Sequence, residues 1–346
     1  MIFKIKDRIV SSNQPPYCIA EVGINHNGEL NRALKMIKVA KDCGVDAVKF
    51  QTFRANEFCG ESQQFSYKSQ GKMVTESMLK MFQRYEFTKE EWFEIKKECD
   101  QQAITFMSTP QNVTDLNLLL EIGIPAIKVG SDDLTNTPLI RRYAEENLPL
   151  IMSSGMSDLA EVYNAINIAG GFDGKPVALL LCTSQYPTPA KEVHLLRLHA
   201  LKNALPGIVI GFSDHTRGAL ASSIAVAFGA TILEKHFTLD HDLPGPDHWF
   251  SEDSKGLKEW VDSIHTAHIM KGSSLVRPSA LEVQNKTEYQ RHLVAATDIN
   301  KGDIFTENNI TFRRVEGGLG FQPNFIDYLL NKKAPRVYKK GEPLEL

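Results

Sequence analysis

Along this chain, short apolar runs alternate with longer segments whose apolar positions recur every three or four residues. The runs at 18–22, 47–52, 105–108, 126–129, 150–153, 177–182, 209–213 and 232–236 read as strands. Between them, segments such as NRALKMIKVAKDCG (31–44), PLIRRYAEEN (138–147), DLAEVYNAINIAGG (158–171) and GLKEWVDSIHTAHIMKG (256–272) carry the helical period. Strand–helix alternation is the pattern of βα units and a parallel sheet. Eight such units lie between residues 18 and 272. That span matches a (β/α)8 TIM barrel, about 250 residues. A doubly wound open sheet is the rival, but no GxGxxG follows the first strand, and eight units suit closure better. The connection over 57–84 exceeds an ordinary loop and reads as a lid or a subunit contact.

The rhythm stops after Gly272. Residues 273–285 carry little apolar pattern and read as a linker; 286–346 read as a small module of short strands and Gly-containing turns. A module of that size is near the lower limit for an independent core, so it is expected to lean on something, such as a second subunit. Residues 1–12 alternate and carry charge, as a hairpin does and a signal peptide does not.

Composition narrows the setting. With 42% apolar and 23% charged positions among 346 residues, the chain can bury a real core. A net charge of −3 argues against general nucleic-acid or membrane-surface binding. The longest uncharged stretch, 218–233, is too short to span a bilayer. Five scattered cysteines without a CxxC fit reduced thiols and a cytoplasmic location.

In such a barrel the chemistry sits at the C-terminal ends of the strands. The sequence places Glu21, Asn25 and His26 after the first strand, and Lys49 and Gln51 on the second. Ser108 and Thr109 close the third, Lys128, Ser131 and Asp133 the fourth, Ser153 and Ser154 the fifth. Ser184 and Tyr186 follow the sixth; Ser213, Asp214 and His215 end the seventh, Glu234 and His236 the eighth. Chance would not confine hydrogen-bonding and ionisable groups to one end of every strand.

Each group has more than one reading. His215 and His236 close adjacent strands, so their imidazoles either meet on a divalent ion or are two hydrogen-bonded core histidines. Lys49 and Lys128, among Thr109, Ser131, Ser153 and Ser213, form either a cradle for a phosphate or carboxylate or a set of salt bridges in the mouth. A strand lysine can also form a Schiff base, as in some aldolases. Glu21 either orients a sugar or polarises a reacting group, or is a structural carboxylate partnering Lys49. The stretch ILEKHFTLDHDLPGPDHWF (232–250) holds three histidines and three aspartates. Of these, His241 and His248 read as solvated loop, and Asp247 is placed at the mouth.

Taken together, IAEVGINHNGEL, GVDAVKFQTF, IPAIKVGSDDLTN, SSGMS, CTSQYPTP, GFSDHT and LEKHFTLDHDLPGPDH resemble, in this order, the bacterial sialic acid (N-acetylneuraminate/legionaminate) synthase family. The final module resembles that family's antifreeze-like (SAF) domain. The resemblance implies a TIM barrel followed by a small β-clip domain. It implies condensation of phosphoenolpyruvate with an N-acylated aminosugar such as N-acetylmannosamine, releasing phosphate by C–O cleavage. His215 and His236 match metal ligands, usually of manganese, with magnesium or cobalt as substitutes; the ion would polarise the sugar aldehyde. Lys49, Thr109, Lys128, Ser131, Ser153, Ser184 and Ser213 match positions that hold phosphoenolpyruvate. Glu21, Gln51, Tyr186 and Asp247 match sugar contacts, with Glu21 also the candidate for proton handling. Arg314 matches an arginine that reaches the N-acyl group in the partner subunit's site, which implies a domain-swapped homodimer.

Some positions depart from the family pattern. RRVEGG stands where Arg-Pro-Gly is frequent, so Arg313 and Arg314 compete for that role. Gln111 replaces a frequent aromatic, and Ser184 an asparagine of some members. The AEVGINHNG start points to the neuraminate or legionaminate branch rather than the pseudaminate branch. A pyruvate-dependent aldolase would use the same fold and anion site without releasing phosphate.

Overall fold

The computed structural model describes residues 3–345. The chain divides into two compact units, Met1–Gly272 and Ser273–Leu346. The first opens with a hairpin, β1 (Phe3–Ile5) and β2 (Arg8–Val10). Two parallel strands follow, β3 (Tyr17–Gly23) and β4 (Ala47–Thr52), then an antiparallel excursion, β5 (Gln64–Ser69) and β6 (Lys72–Ser77). The parallel series resumes with β7 (Thr105–Pro110), β8 (Ile127–Val129), β9 (Leu150–Ser153), β10 (Val177–Cys182), β11 (Val209–Asp214) and β12 (Ile232–His236). Sheet order is β7-β4-β3-β12-β11-β10-β9-β8, and the end strands β7 and β8 pack beside each other. The expected eight-stranded barrel is therefore present, with helices around it.

Alternation decides what each strand gives to the inside. On β3, Cys18, Ala20 and Val22 pack outward against the helices, while Tyr17 and Ile19 point into the barrel. The lower interior is apolar: Ile19, Met107, Ile151, Leu180 and Ile232 meet there, and Phe3, Ile5 and Val10 of the hairpin close it from below. Each such side chain contributes about 1.5–3 kcal/mol relative to exposure. Gly211 shows how tight the interior is: a Cβ there would stand 2.4 Å from Ile232 O and from Leu180 Cδ2. Only a residue without a side chain lets β11 pass.

The second unit has its own small core, including Leu293, Ile299, Phe305, Tyr338 and Leu344. Its strands β13 (Arg291–Ala295) and β14 (Ile310–Arg314) pair antiparallel. Part of the stretch read as linker is helical, Ala280–Tyr289, started by a reciprocal cap between Ser279 and Glu282. That helix buries none of its side chains, which is why no apolar period marked it.

No helix among the described residues is long and apolar enough to cross a membrane. All five cysteines are free and buried.

Candidate active site

The same alternation that fills the lower barrel with apolar groups lines its upper half with polar ones. Glu21, Lys49, Gln51, Thr109, Lys128, Ser153, Ser213, Glu234 and His236 all face one cavity of about 420 Å³, joined by Ser131, Ser184, Tyr186 and His215 from the following loops. Register fixes these neighbours: Glu21 is paired with Lys49, and a one-residue slip of β4 would turn Lys49 out among the helices. The ladder then shifts between Glu21 and Gly23, where the backbone takes φ +52°. A Cβ at Gly23 would lie 3.3 Å from Glu21 Oε1, 3.5 Å from Gln51 Nε2 and 3.8 Å from Asp247 Oδ2. Glycine lets the chain turn beneath these three groups.

Two ammonium groups and two carboxylates form the buried centre. Lys49 Nζ stands 2.5 Å from Glu21 Oε2, 3.8 Å from Glu234 Oε2 and 3.3 Å from Thr109 Oγ1. Lys128 Nζ donates to Ser153 Oγ at 2.7 Å and lies 3.9 Å from Glu234 Oε1, which also accepts from Ser213 Oγ at 3.0 Å. Burial and the Glu234 charge push Glu21 above the usual carboxylate range, against Lys49. Burial also works against ionised Glu234, but Lys128, Lys49 and the Ser213 hydroxyl together hold it low. Lys49 resists its burial because Glu21 and Glu234 raise it; burial of Lys128 prevails and lowers it. Lys128 is thus the cation with the most to gain from an incoming anion.

Glu234 was placed at a strand end by the sequence but given no role. The signal was available: 234 and 236 share a face of one strand, so whatever aims His236 inward aims Glu234 inward too. Cys182 was likewise missed, two residues from Ser184; its Sγ lies 3.9 Å from His215 Nδ1.

The His215 and His236 rings lie 5.4 Å apart, centroid to centroid, inclined at 65°. Two imidazoles bound to one ion through nitrogens at about 2.1 Å span a similar distance. His215 Nδ1 lies 2.8 Å from Thr183 O, so it carries the hydrogen and leaves Nε2 with a lone pair. His236 Nδ1 is buried without a hydrogen-bond partner, 3.9 Å from Asp247 Oδ2. Both observations fit a divalent ion. Among the described residues no three His, Cys, Asp or Glu side chains gather as a ready cage. The protein would supply two ligands and leave the remaining positions to water and substrate oxygen.

Above the His pair, the Tyr186 ring lies 4.2 Å from that of His215. Asp247 faces an adjoining chamber with Gln51, Tyr186, His236 and Trp249. Gly155 marks the other rim: its N–H donates to Ser131 Oγ at 3.0 Å, and a Cβ would come within 2.4 Å of Ser184 Oγ. The long connection after β4 supplies a flap. Phe58, Phe65 and Phe82 from it line the cavity. Its tip meets the loop after β12, where Gln70 Nε2 donates to Asp242 O at 2.8 Å and Gly245 N to Ser69 Oγ at 3.1 Å.

Several polar groups of the first unit lie outside the cavity. His248 is fully buried rather than solvated, bridging Thr238 Oγ1 at 2.7 Å and Asn27 Oδ1 at 3.0 Å. Burial, then Arg32, hold it down at about 4. Asn25 holds Phe237 O and Ser251 Oγ, and His26 stacks on Phe87, so neither reaches the cavity. Ser108 pairs with the Thr52 hydroxyl and Asp214 with Lys235, because alternate residues face outward. His241 is exposed, as read. Arg314 stands on β14 of the second unit, donating from Nε to Tyr289 O at 3.1 Å; alternation puts Arg313 on the opposite face of that strand.

A (β/α)8 barrel with a charged mouth at the C-terminal strand ends is the architecture of an enzyme. The chain belongs to the NeuB family, whose profile matches residues 36–275; a SAF domain matches residues 290–345. It is 37% identical to the N,N'-diacetyllegionaminic acid synthase of Campylobacter jejuni, covering 94% of this chain and 97% of that one. Human N-acetylneuraminate-9-phosphate synthase is 32% identical over 94% of this chain and 90% of its own. Among solved structures, the N-acetylneuraminic acid synthetase of Leptospira borgpetersenii matches with TM-score 0.75 and 31% identity, covering 84% of this chain and 97% of that one.

Proposed function

We propose that this protein condenses phosphoenolpyruvate with an N-acylated aminosugar such as N-acetylmannosamine to give a nine-carbon nonulosonic acid. The observation that carries the reading is the buried Lys49–Lys128 pair set among hydroxyls beside two imidazoles, in a NeuB-family barrel. C3 of phosphoenolpyruvate attacks the aldehyde carbon of the open-chain sugar and forms the C–C bond. The aldehyde oxygen takes up a proton, water adds at C2, and the C2–O bond breaks to release inorganic phosphate. A divalent ion held by His215 and His236, manganese by resemblance, would supply Lewis-acid polarisation of the aldehyde.

The chain's own groups supply the rest. Lys49, Lys128, Thr109, Ser131, Ser153, Ser184 and Ser213 offer cations and hydroxyls to the phosphate and carboxylate, fixed before charge moves. Glu21, whose burial favours the protonated form, is suited to hold or pass a proton at the sugar end. Gln51, Tyr186 and Asp247 are read as orienting the sugar. Arg314 is read as serving the N-acyl group across a domain-swapped homodimer, by resemblance.

A second acceptor is supported by identity: the relatives at 37% and 33% are both named N,N'-diacetyllegionaminic acid synthase. A 2,4-diacetamido hexose therefore stands beside N-acetylmannosamine. The test is phosphate release from phosphoenolpyruvate with Mn2+ and a panel of N-acetylmannosamine, its 6-phosphate and 2,4-diacetamido hexoses. Release with one sugar supports the reading and names the acceptor. No release with any of them refutes it.

A further inference from the structure

Asp214 and Lys235 are direct register partners on β11 and β12. Each immediately precedes one of the two imidazoles, His215 and His236. Because successive side chains alternate, the histidines face the cavity and the ion pair faces out, buried beneath the helices. Lys235 Nζ lies 3.0 Å from Asp214 Oδ2 and donates to Thr216 O at 2.6 Å. Asp214 Oδ1 accepts from Thr216 N at 2.8 Å and from Thr216 Oγ1 at 2.7 Å. Its Oδ2 accepts from Ser222 Oγ at 2.6 Å, and that hydroxyl accepts from Trp260 Nε1 at 2.8 Å. Glu252 completes the frame: its carboxylate accepts from Gly218 N at 2.6 Å, and its N–H donates to His236 O at 2.9 Å.

These bonds fall on His236 itself, on residues 216 and 218 just after His215, or on the side chains that hold them. A buried ion pair adds little net stability over an apolar isostere of the same shape, and in some proteins its use is to fix register and conformation. We infer that the Asp214–Lys235 pair is a positioning device that sets the angle and spacing of the His215 and His236 rings. The pair touches no substrate; it works by fixing the turn over 214–218 against β12. The part concerning ring geometry stands without the function proposed above, while the part concerning a bound ion rests on it.

The test uses the full chain, stripped of metal and labelled with 15N in histidine. Asp214→Asn, Lys235→Met, their double variant, Lys235→Arg and the milder Thr216→Val are compared, with circular dichroism to report folding. Wild type should show His215 as one tautomer, protonated at Nδ1. Lys235→Met and Asp214→Asn should shift both histidines' ring signals and mix the His215 tautomers. Their affinity for Mn2+, followed without substrate by the resonance of the free ion, should fall about 10-fold to 100-fold. Lys235→Arg should restore affinity to within about threefold and Thr216→Val should give a smaller loss, if the network acts through charge and geometry. Folded variants with wild-type histidine signals and unchanged Mn2+ affinity would overturn the inference. If the charge-removing variants do not fold, wild-type signals in Thr216→Val overturn it. A wild type that binds no Mn2+, with variants whose histidine signals still move, supports the positioning role and removes the metal from the proposed function.

Discussion

Lys49 Nζ lies 2.5 Å from Glu21 Oε2, and the two residues face each other in register across β4 and β3. Both are buried, and the ammonium also leans on Glu234. Glu21→Gln keeps the shape and removes the charge and the proton site. It should lower kcat by about 10²-fold to 10⁴-fold, the usual worth of a placed acid or base, while the KM for phosphoenolpyruvate moves far less. Steady-state kinetics check this, and a kcat within about threefold of wild type would take proton handling away from Glu21.

Lys128 is bonded to Ser153 and held below its ordinary range by burial. If its task is to meet an anion, Lys128→Met should raise the KM for phosphoenolpyruvate at least about tenfold, the loss of one charge-assisted bond or more, and leave the sugar KM nearly unchanged. Borohydride trapping of a pyruvate adduct on Lys128 in the wild type would point to an aldolase instead.

Asp115 gives a pH signature away from the barrel mouth. Burial, then the Glu57 carboxylate, push it up to about 7. The unfolded chain releases that proton near 3.9, so between the two values the folded state holds the extra proton. Stability is therefore full below about pH 4 and falls as pH rises through 7. Asp115→Asn escapes that loss, and its Tm relative to wild type should climb by a few degrees between pH 5 and pH 8. Parallel Tm curves for the two proteins would contradict this.

The second unit offers a third kind of test. Residues 1–272 enclose their own cores and are expected to fold alone. If Arg314 serves a partner's site, that fragment should be inactive though folded, and full-length Arg314→Ala should raise the sugar KM about tenfold, as for a lost charged hydrogen bond. A fragment with full activity would sink the shared-site idea.

The barrel was legible because eight apolar runs, spaced by helical segments, leave few other topologies. Residues such as Lys49 and His236 were legible because a charged group at the end of an apolar strand has little reason to be there otherwise. Which strand-end groups turn outward was harder to see, since both faces of a barrel strand are buried and both tolerate a paired polar group. Asp214 and Ser108 were counted at the mouth for that reason. His248 was misread because the loop carrying it is polar, and only the fold brings Asn27 to it from a distant segment. The flap's aromatic residues carried no sign of their direction, since Phe65 alternates on a hairpin and packs on a cluster, Ile24, Phe53, Met81 and Tyr85, drawn from other segments.

The most direct test of the central claim is the fate of the bridging oxygen of phosphoenolpyruvate. Substrate labelled with 18O between C2 and phosphorus is turned over with the accepted sugar, and both products are weighed by mass spectrometry. Condensation with C2–O cleavage predicts that the label leaves with inorganic phosphate. Label retained in the sugar acid would mean cleavage at phosphorus, and would contradict the reaction assigned to this site.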